Sequence, residues 1–186
     1  MYYIKILMCI SITDNFLPDE LYVECFNYAM SIYNSNDMVF KTNNIWNNNI
    51  VYDSSPILIH TIDNNHNLCK RIQKSMIDNL NLSDKNISFR DLHFYFYTPG
   101  SHIPWHDDGH YSGGITIYLN KEWNDNWGGA IIYKNKDSKM IDGGFYPKQN
   151  RGIILSNKIK HSVMPTTKSS NIRISIQCFF MTDDNK

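Results

Sequence analysis

From about Ser88 onward, apolar positions fall in short runs or alternate with polar ones, at 92–97, 114–119, 129–133, 152–156 and 173–180. Alternation with a period near two, in runs this short, predicts β-strands. Gly113-Gly114, Asn124-Asp125-Asn126, Gly128-Gly129 and Gly143-Gly144 punctuate the runs and predict turns. Upstream the period changes. Leu68, Ile72, Met76 and Leu80 recur every fourth residue, with Lys70, Arg71 and Lys74 outside the stripe, which predicts an amphipathic helix laid on a sheet. A second helix is predicted from about Asp14 to about Tyr33, with Pro18 in its first turn and Asp19 and Glu20 near the positive end of its dipole. The apolar start, residues 1–10, reads as a strand, and the Asn-rich stretch to about Asn49 reads as loop.

Short strands following two helices predict an α+β fold, mainly β: a β-sandwich or jelly roll supported by N-terminal helices. No repeat or linker divides the 186 residues, so a single domain over 1–186 is expected. Within it, 1–87 would supply the first strand and supporting helices, and 88–182 the jelly-roll core.

Charge narrows the partners. With 18 basic and 18 acidic residues the net charge is zero, so no nucleic-acid or membrane partner is expected. Cys9, Cys25, Cys69 and Cys178 are too scattered for a metal cage and read as free thiols of a reducing compartment. Lys5 interrupts the apolar start, which argues for a strand over a signal peptide, and no run reaches membrane-spanning length. A cytoplasmic location is the expectation.

One constellation carries chemistry. In His106-Asp107-Asp108, a histidine and a carboxylate two residues apart can point to the same side of an extended strand. His161 follows the apolar run 152–156 and a short turn, so it can return to the same mouth. Two histidines and one carboxylate form a facial triad, which leaves half of an octahedral metal shell open, as in non-haem Fe(II) enzymes. His60, His66, His93, His102 and His110 read as surface or supporting histidines. On the last run, Arg173, Ser175 and Gln177 alternate with Ile174, Ile176 and Cys178. An arginine on the inner face of a barrel is costly unless it meets an anion, and a dicarboxylate held by a bidentate fork would provide one.

These residues carry a resemblance. Tyr97-Thr98-Pro99-Gly100, His106-Asp107-Asp108, Tyr118-Leu119-Asn120-Lys121-Glu122-Trp123, Trp127-Gly128-Gly129, Pro147-Lys148-Gln149-Asn150-Arg151, His161-Ser162-Val163-Met164-Pro165 and Arg173-Ile174-Ser175-Ile176 appear in that order. The set resembles the 2-oxoglutarate/Fe(II)-dependent dioxygenases of the prolyl 4-hydroxylase-like group, similar to hypoxia-factor-type and ribosomal-protein prolyl hydroxylases. It covers roughly residues 92 to 180. The resemblance implies a double-stranded β-helix core, with His106, Asp108 and His161 as iron ligands. It implies Arg173 on the far carboxylate of 2-oxoglutarate, assisted by Tyr118, with Tyr97 and Ser175 also toward the cosubstrate. Twelve residues separate His161 from Arg173, more than the group usually has, and Lys168 in the extra stretch is the alternative anion contact.

Three residues near the mouth keep two readings each. Trp105 either touches substrate and shields the metal or packs in the core. Tyr111 either contacts substrate or belongs to a loop, and Arg151 either contacts substrate or forms a structural ion pair. The cofactors implied are Fe(II) and 2-oxoglutarate, with ascorbate as a candidate auxiliary reductant and dioxygen as co-reactant. The activity implied is hydroxylation of an unactivated C–H bond, first of a prolyl residue in a protein or peptide. Hydroxylation of a free amino acid, small metabolite or modified nucleobase is the alternative enzyme reading. A non-catalytic metal- or ligand-binding jelly roll is the alternative of another class.

Overall fold

The computed structural model describes residues 10–35, 55–80, 87–135, 137–156 and 159–182. Ten strands and two α-helices are assigned among them. In chain order these are β1 (Ile10–Thr13), α1 (Asp19–Asn34), β2 (Ile57–Ile62), α2 (Asn67–Leu80), β3 (Ile87–Tyr97), β4 (Ile103–His106) and β5 (Gly113–Tyr118). After a 3-10 turn at Asp125–Trp127 come β6 (Ile131–Asn135), β7 (Gly143–Phe145), β8 (Gly152–Ser156), β9 (Ile159–Val163) and β10 (Arg173–Thr182).

The strands form two antiparallel sheets. The major sheet runs β1-β8-β5-β10-β3-β2 and the minor sheet β4-β9-β6-β7. Alternation along β10 assigns its side chains to two cores. Ile174, Ile176 and Cys178 pack outward with Leu68, Ile72 and Met76 of α2 and with Leu21 and Cys25 of α1. Between the sheets lies a second cluster that includes Ile103, Ile131, Ile153, Leu155 and Val163. Cys25, Cys69 and Cys178 are buried free thiols, while Cys9 lies outside the described residues.

α2 sits where the four-residue period put it, and α1 falls where Pro18 and the acids after it predicted a helix. α1 begins at Asp19, because Pro18 takes the N-cap position rather than a place in the first turn. Five predicted strands correspond to β3, β5, β6, β8 and β10. Two glycine pairs read as turns lie inside strands. Gly113 and Gly114 begin β5 because a Cβ there would strike Phe180 or crowd Gln177 and Asp108, and Gly143 and Gly144 lie in β7 against Tyr133 and Ile132. Glycine is therefore used there for close approach instead of turning. The strand predicted over 1–10 falls mostly outside the described residues, and so does the predicted loop from residue 36 to Asn49.

Both N-terminal strands join the major sheet, β1 beside β8 and β2 beside β3. The segment between β1 and α1 is fastened by Asn150, whose side chain accepts from Leu17 N–H at 2.9 Å and donates to its carbonyl at 2.8 Å.

Candidate functional site

β4 and β9 are hydrogen-bonded neighbours, and their register sets His106 directly across from His161. Both rings face the space between the sheets, with centroids 4.2 Å apart. Asp108 arrives differently from the strand geometry read in the sequence. β4 ends at His106, and the chain turns there, with Tyr111 N–H donating to the Asp108 carbonyl at 2.8 Å. The turn still brings the carboxylate home: Asp108 Oδ1 lies 3.9 Å from His106 Nε2, and Oδ2 lies 3.8 Å from His161 Nε2. The three candidate ligand atoms all lie within 4.8 Å of one another.

The tautomers follow from the partners. His106 Nδ1 lies 2.8 Å from the Pro104 carbonyl and His161 Nδ1 lies 3.1 Å from the Ile159 carbonyl. A carbonyl only accepts, so each Nδ1 carries the proton and each Nε2 presents a lone pair toward Asp108. Burial lowers the pKa of His106, reinforced by the facing His161, and burial likewise lowers that of His161. Burial also pushes the Asp108 carboxyl up to about 6, against the pull of His106. Two neutral imidazoles and one carboxylate form a donor set with a single negative charge once Asp108 ionises, and a divalent cation stabilises that form.

Arg173 opens β10 opposite Tyr97 of β3 and is fully buried. Its guanidinium lies 4.2 Å from the Tyr97 ring centroid and 4.9 Å from that of Tyr118. Nη2 donates to the Tyr118 hydroxyl at 3.3 Å, while Nε and Nη1 have no hydrogen-bond partner among the described residues. A buried cation with two unpaired donors requires an anion, and a carboxylate matches that fork. Asn120 fixes the strand on either side of Arg173. It accepts from Ile174 N–H at 2.7 Å and donates to the Ile172 carbonyl at 2.8 Å. Gly129, at φ 71°, lies so close that a Cβ there would meet Arg173 Cδ at 3.3 Å.

One cavity between the sheets is lined by His106, Asp108, His161, Arg173 and Tyr97. Tyr118 touches Arg173 from behind the wall, and Ser175, paired in register with Tyr118, is buried without reaching the cavity surface. Lys168 is exposed and does not line the cavity. The three mouth candidates do not line the cavity. Trp105 is 39% exposed on the outer side of β4, Tyr111 stacks on Phe179 at 4.6 Å, and Arg151 pairs with Asp14 at 2.7 Å. That ion pair and Lys148 lower the Asp14 carboxyl to about 2.

Sequence reading missed the other side of the cavity. Thr116 donates to Gln177 Oε1 at 2.5 Å, and both residues line the wall with Tyr95. The available signal was alternation, since Tyr95 shares a face with Tyr97, and Gln177 shares one with Arg173.

Comparison with known proteins agrees with this geometry. The profile of the 2OG-Fe(II) oxygenase superfamily matches residues 92–181, so this segment carries the core of that superfamily. A search of curated proteins gives no match. Among solved structures, a prolyl hydroxylase from Trichoplax adhaerens, in complex with a hypoxia inducible factor oxygen degradation domain peptide fragment, superposes with a TM-score of 0.74 at 17% identity. That alignment covers 96% of this chain and 86% of the other. A Pseudomonas putida prolyl-4-hydroxylase gives a TM-score of 0.69 at 19% identity over 95% and 94% of the two chains. The viral collagen prolyl hydroxylase of Paramecium Bursaria Chlorella virus-1 gives 0.65 at 17% over 92% and 94%. At these identities the likeness establishes the fold, a double-stranded β-helix. The chain is a 2-oxoglutarate/Fe(II)-dependent dioxygenase. The donor sets fit both groups: two neutral imidazoles and a carboxylate for Fe(II), and the unpaired Arg173 fork for 2-oxoglutarate.

Proposed function

We propose that the enzyme hydroxylates a prolyl residue of a protein or peptide, with His106, Asp108 and His161 holding the iron and Arg173 holding the cosubstrate. The observation that carries the site is the placement of a buried, half-unpaired arginine in the same cavity as the triad. The prolyl substrate is supported by the prolyl hydroxylases among the similar structures, one of them bound to a peptide.

With 2-oxoglutarate and dioxygen present, bound Fe(II) supplies oxidation of an unactivated C–H bond, coupled to decarboxylation of 2-oxoglutarate to succinate. The chain's own residues do the rest. His106 and His161 offer Nε2 because the Pro104 and Ile159 carbonyls hold the proton on Nδ1. Asp108 would be the third protein ligand beside the two imidazoles. Arg173 would hold the distal carboxylate through Nε and Nη1, with Nη2 braced by Tyr118 and the cation lying over the Tyr97 ring. Asn120 holds that arginine in register, and the apolar walls of Ile103, Ile131, Leu155 and Val163 keep bulk water out.

No helix among the described residues is long and apolar enough to cross a membrane. A reducing, cytoplasmic setting is supported by the buried free thiols of Cys25, Cys69 and Cys178.

The test is mass spectrometry of proline-containing peptides incubated with enzyme, Fe(II), 2-oxoglutarate and ascorbate. Addition of one oxygen atom at proline is expected. Oxygen added only to free amino acids or other metabolites would replace the prolyl assignment.

A further inference from the structure

The outer side of the minor sheet carries charge in an arrangement that folding alone does not favour. Lys134 of β6 stands directly opposite Lys160 of β9, one residue pair along from Tyr133 and His161. Because side chains alternate, Lys134 and Lys160 face away from the cavity that His161 faces. Like charges directly opposite each other in a sheet are destabilising, and natural pairs at such positions favour opposite signs. Neither lysine has a carboxylate partner among the described residues. Lys134 instead lies 4.9 Å over the ring of Trp105, which is 39% exposed on β4 one residue before the ligand His106.

None of the acids of the adjoining hairpin and turn forms an ion pair with either lysine. Asp142 of the β6–β7 hairpin accepts from Asn135 N–H and from the Ser138 hydroxyl. Asp137 is exposed in the same hairpin, and Asp107 is exposed in the turn beyond His106. Since the whole chain has no net charge, two facing lysines without carboxylate partners are a matter of placement rather than composition.

All three residues sit toward the strand ends that carry the triad. The stems of two half-buried lysines and an exposed indole form a flat, apolar-floored surface with two cationic heads. Carboxylates on an extended polypeptide complement it: they pair with both ammonium groups and relieve the repulsion between them.

We propose that Lys134, Lys160 and Trp105 form a docking surface for an acidic stretch of the polypeptide substrate, next to the residue to be oxidised. This rests on a polypeptide substrate as proposed above. It deepens that proposal by assigning charge to the segment flanking the reactive residue.

The test uses the full chain with Mn(II) and 2-oxoglutarate, and two fluorescein-labelled peptides that share one central proline. One is flanked by Asp and Glu, the other by Asn and Gln. Anisotropy should show the acidic peptide binding about tenfold or more tightly, with the preference shrinking as salt rises. The double variant Lys134→Glu, Lys160→Glu should abolish the preference while Mn(II) affinity stays unchanged. Equal binding of the two peptides, or an unaltered preference in the variant, overturns the docking surface. So does an oligonucleotide of matching charge that binds as tightly as the acidic peptide. Mass spectrometry of the same peptides with Fe(II) reads the prolyl reaction separately. Failure of oxygen addition therefore counts against the prolyl assignment, and failure of charge-dependent binding counts against the surface.

Discussion

His106 and His161 are direct cross-strand partners in the minor sheet, and each donates its Nδ1 proton to a carbonyl two residues back along its own strand. One local device is thus used twice, so that both Nε2 lone pairs converge before any metal arrives. Replacing either histidine, or Asp108, with alanine should lower Mn(II) affinity and turnover by roughly 100-fold or more, while far-ultraviolet circular dichroism stays unchanged. Retained metal binding in these variants would place the metal elsewhere.

The raised Asp108 carboxyl gives metal binding a pH dependence with a definite sign. Metal requires the ionised carboxylate, and the group takes up its proton as pH falls through about 6. The two histidines have lowered pKa values, so they stay neutral to lower pH than an ordinary histidine. Mn(II) affinity should therefore be flat above about pH 7 and fall roughly tenfold per pH unit below about 6. In metal-free protein the sign for Asp108 is opposite. Its folded pKa lies above its unfolded value, so its contribution favours folding below about pH 4 and is lost as pH rises through about 6. Asp108→Asn should accordingly raise the melting temperature of metal-free protein at pH 7 relative to the parent.

Arg173→Met should raise the 2-oxoglutarate concentration needed for half-maximal turnover by roughly 100-fold, because a charge-assisted fork is lost. Tyr118→Phe removes one hydrogen bond of about 1 kcal/mol to that guanidinium and should cost roughly fivefold. Lys168→Ala should change nothing, since the side chain is exposed and does not line the cavity. A cosubstrate requirement that moves with Lys168 and not Arg173 would reverse the assignment.

Two supporting residues should act through Arg173. Gly129→Ala combines a positive φ with a Cβ crowding Trp123, Thr166 and Arg173, and should destabilise by about 1–3 kcal/mol while weakening 2-oxoglutarate binding. Asn120→Ala leaves the Ile174 N–H and the Ile172 carbonyl without their partner, and should cost about 2–3 kcal/mol in urea unfolding.

The sequence was readable where a local rule decided the outcome. The four-residue stripe of α2 and the alternation of β10 each report which face is buried, so the helix and the inward course of Arg173 were visible. Gly113 and Gly143 were misread because a glycine used for close approach looks like a turn glycine until its neighbour across the sheet is known. β4 and β9 are too short to show a period, so the pairing of His106 with His161 is a property of tertiary register alone. Arg151 offered no sequence sign of its partner, because Asp14 lies 137 residues away. Trp105 points outward because β4 is irregular between Ile103 and His106, and no motif records that irregularity.

The most direct measurement is succinate formation from 2-oxoglutarate by wild type and by Asp108→Ala, with Fe(II) and ascorbate, in air and under argon. Succinate from wild type in air only, lost under argon and lost in the variant, is the result predicted. Equal succinate from wild type and variant, or none from wild type with any peptide or metabolite pool, would contradict an Fe(II)/2-oxoglutarate centre built on His106, Asp108 and His161.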